Sequence, residues 1–316
     1  MTAVDFKGIE GKINKVMDEV ETVIIGKRDI IRLVLTSILS NGHVLIDDVP
    51  GVGKTTLAKS LAKTLGCSFK RVQFTPDLLP SDVTGTSVFN QKTAEFEFRS
   101  GPIFAQFVLA DEINRATPKT QSSLLECMEE RQVTIDGITH PLPWPFFVIA
   151  TENSVEYHGT YPLPEAQLDR FMMRISVGYP GRSEESDILD SQIVQHPIAN
   201  AKTILSSPEI AELQRAVTGV YLEPTVRDYI VGIVTATRDH PMVLLGASPR
   251  GSLNLSHACR SFAAIRGRDY VTPDDIKALA IPVLAHRLIL KPETRSHNVT
   301  QAGVVEEIVS AAAVPC

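Results

Sequence analysis

The run Pro50-Gly51-Val52-Gly53-Lys54-Thr55-Thr56 sets two glycines, a lysine and two hydroxyls in a row. That is the chemistry of a phosphate cradle. Backbone N–H groups of the loop, and of a helix starting behind it, can surround phosphate oxygens. Lys54 can reach the outer groups of a triphosphate, and the Thr55 hydroxyl can ligate Mg²⁺. The general pattern G-x-x-x-x-G-K-[ST] begins on Gly, whereas this chain has Asp48 there. An ordinary glycine-rich turn is the plainer alternative, but it gives Lys54 no purpose that a Leu would not serve better. Further on, Phe107-Val108-Leu109-Ala110-Asp111-Glu112 is an apolar run that ends in two carboxylates. At a strand's carboxyl end beside the cradle, Asp111 would hold Mg²⁺ through its water shell and Glu112 would polarise an attacking water. Taken alone, the pair also reads as a solvated Asp-Glu turn.

Such groups need several strands ending at one edge. His43 to Asp47, Phe107 to Ala110 and Phe146 to Ala150 are short apolar runs, and Phe69 to Phe74 continues the same alternation. Helical patterns separate them at Thr55 to Leu65 and Pro118 to Glu130, which together predict a parallel α/β sheet. Ahead of it, Ile13, Val16, Val20 and then Ile30, Ile31, Val34, Leu35, Ile38 predict two helices broken at Ile24 to Lys27. Two stretches alternate with period two and predict inserted β-hairpins. Val133 to His140 turns at Asp136-Gly137, and Thr86 to Phe98 sets Val88 against Phe96 and Phe98 around Asn90-Gln91-Lys92-Thr93. Beyond about residue 185 only helical patterns remain, at Pro208 to Val217, Thr225 to Asp239, Ser248 to Arg266 and Thr272 to Leu288. The organisation expected is an α/β nucleotide domain over 1–185, a connector over 186–207 and a small all-helical domain over 208–316.

Composition narrows the class. Over 316 residues, 43% hydrophobic and 22% charged side chains describe an ordinary globular protein, neither disordered nor a disulfide scaffold. A net charge of −6 argues against a general electrostatic hold on nucleic acid. Cys67, Cys127, Cys259 and Cys316 stand apart from one another, so reduced thiols are expected. Asp5, Lys7 and Glu10 do not form a secretion signal, and no window is apolar enough to span a membrane, so a cytoplasmic location is expected.

Several runs carry a more specific resemblance. They are the cradle, Ala110-Asp111-Glu112-Ile113-Asn114-Arg115-Ala116, Lys119-Thr120-Gln121 with Leu124-Leu125-Glu126 and Met128-Glu129-Glu130, and the run from Gly159-Thr160-Tyr161-Pro162 to Asp169-Arg170-Phe171. Together, over about residues 5 to 310, they closely resemble the MoxR family of AAA+ ATPases. The resemblance implies a P-loop NTPase sheet with two inserted hairpins followed by an all-α lid, and an acid at position 48 is a familiar variant there. It implies ATP and Mg²⁺ as cofactors, with Pro50, Gly51, Val52, Gly53, Lys54, Thr55, Thr56 and Asp111 binding them. It makes Asn153, just past Ile149 to Glu152, a polar sensor of the γ-phosphate or attacking water. Arg170, past a short helix begun at Pro164, becomes an arginine finger for a neighbouring subunit. Ile25 and Gly26 resemble the segment that packs on adenine. In Ser248-Pro249-Arg250-Gly251, a helix cap and a first-turn proline put a cation at the positive helix end. That is a poor place unless an anion faces it, so Arg250 reads as a second sensor, with a solvated Arg as the alternative.

The resemblance also implies a homo-hexameric ring that acts on a client protein or complex, often with a partner bearing a von Willebrand factor A domain. In that family the two hairpins project toward the pore. Their tips carry Lys92, Asp136 and His140, with no basic stripe and no stacking aromatics, so protein is the expected load. The alternatives are the ATPase subunit of a metal chelatase, a nucleic-acid motor, and a monomeric nucleotide kinase, for which Arg170 and the hairpins would be unexplained. His43, His140 and His158 are dispersed and read as structural or surface groups.

Overall fold

The computed structural model describes residues 4–153, 159–191, 197–297 and 299–315. Helices α1 (Phe6–Glu21) and α2 (Arg28–Leu39) lead into β1 (Val44–Asp47), α3 (Lys54–Thr64) and β2 (Phe69–Gln73). After the short α4 (Pro80–Thr84) comes the first hairpin, β3 (Gly85–Asn90) and β4 (Glu95–Ser100). Then follow β5 (Phe107–Asp111), α5 (Pro118–Glu130), the second hairpin β6 (Gln132–Ile135) and β7 (Ile138–Pro141), and β8 (Phe147–Glu152). The α/β part closes with α6 (Glu165–Leu168), β9 (Met173–Ile175) and α7 (Arg182–Ser191). The lid comprises α8 (Ser207–Val217), α9 (Pro224–Asp239), β10 (Val243–Leu245), α10 (Pro249–Ile265), α11 (Pro273–Leu284), β11 (Ile289–Leu290) and α12 (Gln301–Ala311).

The central sheet is parallel, in the order β2-β5-β8-β1-β9. Its inner strands β5, β8 and β1 read as nearly unbroken apolar runs because helices cover both faces, whereas the edge strand β2 carries Lys70, Arg71 and Gln73. Phe107 and Leu109 of β5, Ile149 of β8, and Val44 and Ile46 of β1 pack with α1, α2 and α3. Val108, Ala110, Val148, Ala150 and Leu45 point the other way, onto Leu124, Leu125 and Met128 of α5. The first of these cores continues without a break into the lid. Gln214 Nε2 donates to the Ile38 carbonyl at 2.7 Å, and Ser40 and Ser261 share a hydroxyl contact at 2.8 Å.

The lid is helical as expected, and β10 and β11 add one short antiparallel pair to it. Strand β9 was not anticipated, since Met173-Arg174-Ile175 is too short for a periodic signal. Helix α7 crosses the expected boundary at residue 185 and occupies the first part of the stretch read as connector.

Both hairpins form where the period-two pattern lies. Asp136 and Gly137 take positive φ, 52° and 78°, as a two-residue turn requires. In the first hairpin the register differs from expectation. Phe89 faces Phe96, while Val88 faces Glu97. The cause is the turn, which runs over 91–94 and closes on Ala94 at φ 58°, with the Ala94 N–H donating to the Asn90 carbonyl at 2.8 Å. The expectation that the tips lack stacking aromatics is thereby overturned. Phe89 and Phe96 are 49% and 74% exposed and meet edge to face at 5.3 Å.

Candidate functional site

The loop after β1 turns sharply at Gly51 (φ 87°) and Gly53 (φ 88°), conformations that a side chain would strain, and Gly53 caps α3. Loop N–H groups and the α3 N-terminus therefore face one concavity. Asp48, in place of the usual first glycine, has a structural task. Its carboxylate accepts from Gly178 N at 2.7 Å, Ser176 Oγ at 2.8 Å and its neighbour Val49 N at 2.8 Å. This fastens the start of the loop to the chain leaving β9. Burial works against the charge, but these hydrogen bonds prevail and hold Asp48 below the usual carboxylate range.

A cleft of about 320 Å³ is lined by Pro50, Gly51, Gly53, Lys54, Thr55, Thr56, Asp111, Glu112 and Asn153. The expected phosphate, metal, base and first-sensor residues are thus brought together. Lys54 is buried, and its ammonium donates to the carbonyls of Asp48 at 2.6 Å and Glu152 at 3.1 Å. Burial lowers its pKa, opposed by the surrounding carboxylates of Asp48, Asp111, Asp47 and Glu112. Thr55 Oγ1 lies 3.4 Å from Asp111 Oδ2. The Thr151 hydroxyl donates to Asp111 Oδ1 at 2.6 Å and accepts from Glu112 N at 2.8 Å, so it positions both acids. Glu112 adopts the left-handed conformation (φ 56°, ψ 51°), a strain typical of functional positions. Its carboxylate accepts from Gln73 Nε2 at 2.7 Å and Arg115 Nη1 at 2.9 Å. Asn153 is 5% exposed at the end of β8.

Val52 packs against the core instead of lining the cleft. Near the N-terminus Ile24, the residue before Ile25, approaches the loop, with its Cδ1 3.8 Å from where a Gly53 Cβ would sit. Ile25 is half-buried, and Gly26 takes φ 72°, a conformation that a side chain would strain, with the Glu184 carboxylate close behind it.

Arg170 and Arg250 lie elsewhere. With Glu129, Arg131 and His257 they line a second cleft of about 370 Å³ that shares no residue with the first. Arg170 pairs with Glu129 at 3.2 Å and donates to the Leu125 carbonyl at 2.8 Å. Arg250, at the start of α10 behind the N-cap Ser248, pairs with the other oxygen of the same carboxylate. The anions facing Arg250 in its own chain are therefore Glu129 and, more distantly at 3.9 Å, Asp169. Asp169, the sequence neighbour of Arg170, is bound by Arg287 Nε at 2.8 Å. The buried Arg287 also donates to the Phe171 carbonyl at 2.7 Å, so the lid grips the segment carrying Arg170.

Sequence reasoning missed Gln73, Arg71, Thr151, Glu129 and Arg287. Polar residues at the end of the β2 and β8 runs were the available signal for the first three, while Glu129 and Arg287 carry no local signal. His43 is structural, as expected. Val148 N donates to its Nδ1 at 3.1 Å, its Nε2 meets the Met128 carbonyl at 3.2 Å, and burial lowers its pKa to about 4. His140 stacks on Phe98 at 4.1 Å. His158 and Cys316 lie outside the described residues. Among those described, Cys67, Cys127 and Cys259 are free and no cluster of three or more His, Cys, Asp or Glu could hold a metal. None of the described helices is long and apolar enough to cross a membrane.

Comparison with known proteins agrees with this geometry. Residues 43–173 match the ATPase family associated with various cellular activities, and residues 235–308 match the AAA lid domain. The Bacillus subtilis protein YeaC is 53% identical over 96% of this chain and 95% of its own length. Chaperone MoxR1 of Mycobacterium tuberculosis is 42% identical over 96% of this chain and 82% of its own. Protein MoxR of Paracoccus denitrificans is 34% identical over 85% and 86%. A crystal structure of a Cytophaga hutchinsonii protein superposes with a TM-score of 0.92 at 40% identity, covering 99% of this chain and 97% of that one. A phosphate cradle, an acidic pair at the end of β5 and near full-length likeness to MoxR proteins converge on one conclusion: the chain belongs to the MoxR family of AAA+ ATPases and hydrolyses ATP.

Proposed function

We propose that this ATPase works as a homo-hexameric ring in which Arg170 and Arg250 of one subunit complete the phosphate cleft of the next, and that the ring remodels or matures protein complexes. One observation carries the ring: both guanidiniums line a cleft separate from their own chain's phosphate cleft. Cations that serve hydrolysis from there serve a neighbour.

Within the subunit, Lys54 leaves its two carbonyl acceptors for phosphate oxygens, and Asn153 orients the water that Glu112 activates. Gln73 and Arg115 both hold Oε2 of Glu112, so Oε1 is the oxygen placed to accept a proton from that water. The oxygen donors Thr55 and Asp111 fit a small hard cation. Mg²⁺ bound there with the nucleotide would neutralise charge on the phosphates. Arg170 and Arg250 then meet charge that develops in the neighbour's transition state, an effect worth roughly 10³ to 10⁵ in rate for such a finger.

Mixing is the test. Arg170→Ala subunits keep an intact phosphate cleft, and Lys54→Ala subunits keep an intact finger. Each is expected to be inactive alone, and mixed rings should regain part of the activity. No recovery at any ratio, with subunit exchange demonstrated, would show that Arg170 acts within its own subunit or only structurally.

The protein client is supported by a relative named a chaperone and by the exposed Phe89–Phe96 pair beside Glu95 and Glu97. Aromatics alone also suit nucleic acid, but the hairpin offers only Lys92 and Arg99 against those two acids. Weak, unspecific DNA binding is expected, and a submicromolar complex with a steep salt dependence would favour a motor instead. Cofactor or metal insertion with a von Willebrand factor A partner, in the cytoplasm, completes the proposal, and co-purification with a Glu112→Gln form tests it.

A further inference from the structure

The metal-side carboxylate already holds a cation. Asp111 Oδ2 accepts from Arg71 Nε at 3.0 Å and lies 2.7 Å from Arg71 Nη2. The strand pattern explains the pair. Val72 of β2 is buried in the core on the α5 side, so Arg71 and Gln73 point to the opposite face. There Gln73 lies level with Asp111 of the neighbouring β5, and Arg71 lies one step back, level with Leu109. Arg71 Nη2 also donates to Gln73 Oε1 at 2.6 Å, which turns the amide so that Nε2 donates to Glu112. One guanidinium thus reaches both carboxylates of the hydrolytic site, Asp111 directly and Glu112 through an amide. The Arg71 side chain is 45% exposed, so it can move into water without burying its charge.

We infer that Arg71 is a resident counter-ion that competes with Mg²⁺ for Asp111, so that metal binding displaces the guanidinium and with it the fixed orientation of Gln73. This rests on the reading of the phosphate cleft given above. The oxygen that Arg71 holds, Oδ2, is the one that faces the Thr55 hydroxyl, so a divalent cation placed between Thr55 and Asp111, with or without an intervening water, meets the guanidinium charge at close range and is repelled by it. Arg71 is a positioning residue here, since it lines no part of the phosphate cleft.

The test measures ADP binding by calorimetry across a Mg²⁺ titration, with native protein, Arg71→Ala and Arg71→Lys. In Arg71→Ala the Mg²⁺ midpoint is expected to fall about threefold to fivefold, the factor a half-exposed ion pair is worth. ADP affinity in the presence of a chelator should stay within about twofold of native, because no phosphate contact is lost. Arg71→Lys keeps the competing charge and should restore a near-native midpoint. An unchanged midpoint in Arg71→Ala would make the pair a bystander, and a raised one would show that Arg71 prepares Asp111 for the metal; either result overturns the inference. Native protein that binds no ADP, or binds it without regard to Mg²⁺, would instead sink the reading of the cleft itself.

Discussion

Arg170 is ion-paired with Glu129 at 3.2 Å, in a cleft lined by none of the residues of its own phosphate site. Glu129 also holds Arg250, so one carboxylate masks both cations that would act on a neighbour's nucleotide. Glu129→Gln is expected to leave nucleotide affinity unchanged and to raise turnover, by up to about fivefold for half-exposed ion pairs. Slower turnover in the steady-state assay would make Glu129 an aligning group for the arginines.

Lys54 and Glu112 should separate binding from chemistry. Lys54→Ala removes the cation that meets the phosphates and is expected to abolish ATP binding in calorimetry. Glu112→Gln keeps that cation and should bind normally while turnover stops, because Glu112 acts only on water. Equal loss of affinity in both variants would contradict the role given to Glu112.

Asp48 stabilises the loop through Gly178 and Ser176, so Asp48→Ala leaves the Gly178 N–H and the Ser176 hydroxyl without their charged acceptor. A loss on the order of 2 kcal/mol is expected for hydrogen bonds to a charged group, together with weaker ATP binding. Denaturant unfolding and calorimetry check the two effects, and a variant with native stability would show that the loop needs no fastening.

Glu152, the last residue of β8, whose carbonyl accepts from Lys54, titrates high. Burial, reinforced by the Asp47 carboxylate and partly offset by Arg174, raises its pKa from 4.5 to about 7. The folded state therefore favours the protonated acid, so this group lowers stability progressively as pH rises from about 4.5 to about 7 and by a constant amount above. Glu152→Gln lacks that penalty. Its Tm, relative to native, should climb through this window and level off above it; a pH-independent difference would show that Glu152 does not titrate there.

How much was legible follows from where the information lies. The phosphate loop, the acidic pair, the four strand runs and the Asp136-Gly137 turn were readable because each is set by residues adjacent in the chain, where backbone conformation and period-two or helical patterning act locally. Asn153 was assigned through the family resemblance, by its place just past one such strand. The register of the first hairpin was not readable, since Ala94 at φ 58° shifts the four-residue turn from 90–93 to 91–94 and sets Phe89 instead of Val88 against Phe96.

What only the tertiary structure decided is which charges meet. Glu129 joins Arg170 to Arg250 across 121 positions of sequence to the latter, Arg71 reaches Asp111 across 40, and Arg287 of the lid reaches Asp169 across 118. Sequence alone determined the chemistry this chain carries, because a phosphate loop is a local arrangement of backbone and side chain. It did not determine which carboxylate each arginine faces, because strand order and the docking of the lid on the sheet fix those pairs, and both arise from apolar burial shared among all the elements at once.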